Sequence, residues 1–72
     1  MDLFETGETR RVSREEAAAQ LRALADNLSR HNSIELHHEG RRVTVQVPDS
    51  VELKLEVELE TDEGELEIEL SW

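Results

Sequence analysis

Cysteine is absent from the 72 residues, so neither a disulfide staple nor a thiolate metal site is available to a chain of this size. The compartment is left open by that absence. One small core yields only about 3–5 kcal/mol of net stability, and with the usual small-domain supports missing, association with a second chain is the main one remaining. No apolar run approaches the ~18 residues of a membrane span, and the start lacks the charged-then-apolar pattern of a secretory signal. A cytoplasmic protein with no membrane partner is expected. Lysine is nearly absent too. Lys54 is the one lysine among eight basic residues, which face 18 Asp and Glu for a formal charge of −10. Such a balance argues against nucleic acid and anionic lipid as partners held by phosphate neutralisation. A surface rich in carboxylate and poor in lysine reads as adaptation to concentrated salt, since the Debye length falls from about 10 Å at 0.1 M to about 3 Å at 1 M.

The signatures of catalysis are missing as well. There is no Gly-rich phosphate loop and no metalloprotease helix, and the serines at 13, 29, 33, 50 and 71 fall at turns or ends, where capping accounts for them. The three histidines are His31, His37 and His38. Neighbours on a strand point to opposite faces, so His37 and His38 make no two-histidine chelate, and an arginine from Arg41 or Arg42 across the turn further disfavours a cation. Glutamates on a flat strand do not converge as a hard-cation site requires. Neither enzyme activity nor a metal nor a cofactor is expected.

What the chain does have is alternation. Val51, Leu53, Leu55, Val57 and Leu59, then Leu66, Ile68, Leu70 and Trp72, are separated mostly by Glu, which gives strands with one oily and one acidic face. Before them, Ser13 and Glu16 have capping-box spacing, and Ala17, Leu21, Leu24 and Leu28 recur with helical period beside Ala18 and Ala25. A helix is expected from Arg14, stopping at Asn32 and Ser33. Leu3 to Val12 reads as a short edge strand bulged at Gly7. Four further strands are expected at Ser33 to His38, Arg41 to Val47, Val51 to Thr61 and Glu65 to Trp72.

Register follows from the turns. A two-residue Glu39-Gly40 turn pairs Leu36 with Val43 and Ile34 with Val45. A two-residue Glu63-Gly64 turn would pair Leu59 with Ile68, Val57 with Leu70 and Leu55 with Trp72, and would set Glu60 against Glu67 and Glu58 against Glu69. The Pro48-Asp49-Ser50 loop would place Val45 beside Leu53, making one apolar face across all four strands for the helix to cover. The fold expected is α+β, one helix packed on one face of an antiparallel meander, in the order β-α-β-β-β-β within a single domain spanning residues 1–72.

The chain resembles the amphi-Trp domain family, small acidic proteins frequent in haloarchaea. The resemblance lies in Ser13-Arg14-Glu15-Glu16-Ala17-Ala18, the helix face of Leu21, Leu24, Ala25 and Leu28, the Val43-Thr44-Val45-Gln46-Val47-Pro48 strand, and Glu65-Leu66-Glu67-Ile68-Glu69-Leu70-Ser71-Trp72. It implies no activity and supplies no catalytic residues. Trp72 either closes one end of the core opposite Leu55 or joins an interface, where Trp is enriched among the residues that dominate binding. Trp72, Leu70 and Phe4 are the candidate interface residues. The function expected is a small interaction or assembly module that forms a homodimer or binds another protein. The alternative is an acidic mimic of nucleic acid that occupies a basic protein surface.

Overall fold

The computed structural model describes residues 4–72, for Phe4 the backbone alone. Its elements are β1 (Phe4–Glu5), α1 (Arg14–His31), β2 (Ser33–His38), β3 (Arg41–Gln46), β4 (Glu52–Leu59) and β5 (Gly64–Ser71). The expected α+β class and element order are what is found.

The helix begins and ends as its sequence dictates. The Ser13 hydroxyl accepts from the Glu16 amide at 3.0 Å, and the Ser13 carbonyl accepts the first helical bond, from Ala17, at 2.9 Å. One of the four donors that a helix start leaves without partners is thereby satisfied. Glu15 and Glu16 in the first turn and Arg30 and His31 in the last oppose the helix dipole. Asn32 ends the helix in the left-handed region, at φ 54°, a conformation Asn tolerates better than most residues.

The chain then turns directly into β2, which pairs antiparallel with β3 as expected, Leu36 opposite Val43 and Ile34 opposite Val45. Glu39 and Gly40 both have positive φ, 52° and 78°, as a two-residue hairpin turn that matches strand twist requires. The Val47 amide donates to the Asn32 carbonyl at 2.9 Å and extends the ladder by one step.

On the other side of β2 lies β1, parallel to it, with Phe4 opposite Leu36 and the Thr6 amide donating to the His37 carbonyl at 3.0 Å. The expected edge strand from Leu3 to Val12 is therefore only two residues long within the described part, and Leu3 lies outside the described residues. Gly7, at φ 81°, ends the strand rather than bulging it. Because α1 crosses between two parallel strands, β1-α1-β2 is a βαβ unit.

Two expectations are corrected in the second half. First, the four long strands do not form one sheet: β1-β2-β3 and β4-β5 are separate. Among the described residues α1 lies against β2, and neither β4 nor β5 approaches any element but the other. Val45 is not paired with Leu53, so the apolar face is not continuous across the Pro48 loop. The radius of gyration, 13.6 Å, exceeds the ~11 Å of a compact chain this long.

Second, the β4–β5 register is offset by four residues from the one a Glu63-Gly64 turn would set. Leu53 faces Leu70, Leu55 faces Ile68 and Val57 faces Leu66. The loop is Glu60 to Glu63, closed by the Glu60 amide donating to the Glu63 carbonyl at 2.8 Å. Gly64 is the first residue of β5, opposite Leu59, and has no positive φ. Charge favours the observed register. The expected register sets Glu60 against Glu67, Glu58 against Glu69 and Asp62 against Glu65, whereas the observed one has two acidic pairs, Glu58–Glu65 and Glu56–Glu67, and sets Lys54 against Glu69. Each acidic pair at ~5 Å costs roughly 0.8 kcal/mol in water before screening.

The two glycines should respond oppositely to alanine. Gly40→Ala forces a side chain into the left-handed region and is expected to lower stability by about 1 kcal/mol. At Gly64 a Cβ would meet only the end of the Leu59 side chain, at 3.4 Å, so Gly64→Ala is expected to be neutral or to stabilise by up to ~1 kcal/mol. Urea unfolding of both variants checks this, and a clear loss at Gly64 would restore the two-residue turn.

Candidate interaction surface

No described residue is fully buried. Partial cover is concentrated where α1 meets β2: Ala17, Leu24 and Leu28 on the helix, Ile34 and Leu36 on β2, and Val45 on β3 are half-buried. The helix is turned from the orientation its apolar stripe suggests. Leu21 and Ala25 are exposed, while Gln20, Ala23 and Asn27 are half-covered.

The β4–β5 ribbon is the opposite case. Leu53, Leu55, Val57, Leu66 and Ile68 form matched rows on one face, and Leu55 at the centre is 63% exposed. Leu59, at the loop end, is 81% exposed. Leu70 is the one half-buried residue of the ribbon. The other face carries Glu52, Lys54, Glu56 and Glu58 on β4 with Glu65, Glu67 and Glu69 on β5. Residues 51–72 hold nine acids and one lysine, −8 of the total −10. Lys54 Nζ lies 3.3 Å from Glu56 Oε2 along its own strand, an exposed pair of small energetic worth. The acidic face is thus almost uncompensated, and the apolar face has no charge.

Trp72 follows the last paired residue, Ser71, which faces Glu52. It is therefore not opposite Leu55, and at 61% exposure it does not close a core. With Ser50, Val51, Glu52 and Ser71 it lines a shallow, open cleft of about 500 Å³. Of the three candidate interface residues, Leu70 and Trp72 belong to the ribbon end, while Phe4 pairs through its backbone with Leu36 in the other sheet. The side chain of Phe4 lies outside the described residues. Alternation alone signals the amphipathic ribbon, but a pattern of period two does not say whether its apolar face is covered within the chain.

Deleting Trp72 should therefore change chain stability by well under 1 kcal/mol when the protein is dilute, since its apolar area is already mostly in water. Its loss is expected to weaken association instead. Melting of the truncated chain at low and high concentration checks this, and a loss of 2 kcal/mol or more in the dilute protein would return the indole to the core.

The histidines give no metal centre. His37 and His38 face Arg42 and Arg41 across the hairpin, and His37 Nδ1 stands 3.9 Å from Glu5 Oε2. Among the described residues no group of three or more His, Asp or Glu converges to hold a metal ion, and no helix is long and apolar enough to cross a membrane.

An α+β protein with a helix against one hairpin and a second, amphipathic ribbon running to a tryptophan is the class these features define. The chain belongs to the Amphi-Trp domain family, whose profile matches residues 1–72. No curated protein and no solved structure matches it significantly.

Proposed function

We propose that this chain is a small interaction or assembly module without catalytic activity, working in a salt-rich cytoplasm and associating with protein partners, copies of itself included, through the apolar face of β4–β5. The observation that carries this reading is the exposure of Leu53, Leu55, Val57, Leu66 and Ile68 together. Contiguous apolar surface of this kind on a soluble protein marks a contact site. The module's contact is apolar, so salt leaves it intact or strengthens it by screening the glutamates behind it.

A second reading has one specific observation in its favour. The outer face presents Glu56, Glu58, Glu65, Glu67 and Glu69 at a spacing of roughly 6.6 Å along each strand, a repeated negative charge that a basic nucleic-acid-binding surface would accept. Binding of that kind weakens steeply with salt.

Crosslinking at low and at molar salt of the wild-type chain, of Leu55→Glu and of Glu58→Gln with Glu67→Gln separates the two. A module loses its crosslinked partners with Leu55→Glu and keeps them when the glutamates are neutralised. The reverse pattern, with contacts appearing only at low salt, would select the mimic.

A further inference from the structure

Granted that the apolar ribbon face is an interaction surface, we infer that what covers it is the same face of a second copy, the two ribbons packing apolar face to apolar face about a two-fold axis near Leu55 and Ile68. Area leaves room for a contact of at least standard size. The chain exposes 6497 Å², whereas a compact monomer of 8.3 kDa exposes ~4,600 Å². The excess of about 1,900 Å² is more than twice the ~800 Å² that each side of a standard-size contact removes from water.

Folding argues for a partner that is always present. A two-stranded ribbon is at best marginal alone in water, and among the described elements nothing else supports β4 and β5. Cover is thus a condition of the folded ribbon rather than an occasional event. A second copy is made in equal amount with the first, whereas a different protein would leave this one incomplete until it arrived.

Chemistry and charge then select the geometry. The rows Leu53–Leu70, Leu55–Ile68 and Val57–Leu66 are aliphatic throughout, with no side-chain donor or acceptor to satisfy. A two-fold contact needs only that such a surface fit itself. Two ribbons stacked at ~10 Å keep both acidic faces outward in water. Edge-to-edge pairing at ~4.8 Å would instead lay one set of glutamates beside the other and repeat the repulsion already present within each ribbon. The two −8 ribbons still repel across the stack, so the dimer tightens as salt rises.

Sedimentation and thermal melting of the intact chain in ~1 M NaCl test this, together with cysteine variants that the cysteine-free background makes unambiguous. The expected result is a dimer whose melting temperature rises by roughly 10 °C over two decades of protein concentration. Leu55→Cys should crosslink into a covalent dimer under mild oxidation, and Glu56→Cys, on the opposite face of the same strand, should not. A monomer with concentration-independent melting overturns the inference. If that monomer binds an apolar dye, the face is open to a different protein and the interaction reading survives. If it binds none, the face is covered within its own chain and both fail. Crosslinking through Glu56→Cys but not Leu55→Cys would place the contact on another face and overturn the inference equally.

Discussion

Raising NaCl from low to molar concentration is expected to raise the melting temperature by about 10 °C. Two acidic pairs, Glu56–Glu67 and Glu58–Glu65, stand directly opposite one another on the outer face of the ribbon. Each costs roughly 0.8 kcal/mol in water, and a Debye length of ~3 Å at 1 M removes most of that cost. In a domain of this size each kilocalorie recovered is worth roughly 4–8 °C. The double variant Glu58→Gln with Glu67→Gln takes one member from each pair and should melt higher at low salt, with a much flatter rise. Glu8→Gln with Asp49→Asn changes the net charge equally without touching the ladder and should keep most of the climb. A salt-insensitive wild-type melting curve, or equal flattening by both double variants, would show that the ladder is not the cause.

The helix supplies the second large effect. Leu24 is half-buried where α1 meets β2, while Leu21, one position over on the apolar stripe, is 48% exposed. Leu24→Ala is expected to cost about 1–2 kcal/mol, a large share of the ~3–5 kcal/mol available to so small a domain. Leu21→Ala should cost less than about 0.5 kcal/mol. Denaturant midpoints for the two variants decide it. Equal losses would mean that the helix presents to its neighbours the face its sequence pattern centres on, with the ribbon returned beneath it.

Local rules were enough for some elements and not for others. The Ser13 cap, the Asn32 stop and the Glu39-Gly40 turn are each determined within a few residues, and all three stand as the residues imply. The Glu63-Gly64 pair looked equivalent to Glu39-Gly40 but is not used as a turn. There the outcome depends on strand length and cross-strand charge, quantities that a dipeptide does not contain. The separation of the two sheets is further still from local reach. Period two fixes which side chains share a face, and it says nothing about which face lies beneath the helix. The positions of the candidate interface residues were legible to the same degree: Leu70 and Trp72 lie at the ribbon end because alternation put them there, and Phe4 pairs into the other sheet through the long-range β1–β2 contact.

The offset of four residues between the two possible ribbon registers is an even number, and this has a consequence for motion. Sliding β5 past β4 by four residues exchanges every cross-strand partner yet leaves each Leu, Val and Ile on the side it already occupies. An odd slip would drive the aliphatic side chains into the acidic layer, but an even one meets no such barrier of kind. The two arrangements differ by the turn chemistry of Glu60 to Gly64 and by charge pairs worth on the order of 1–2 kcal/mol, a population ratio of roughly ten rather than many thousands. An even slip therefore leaves unchanged the face that the ribbon presents, and only the turn and the charge pairs choose between the registers.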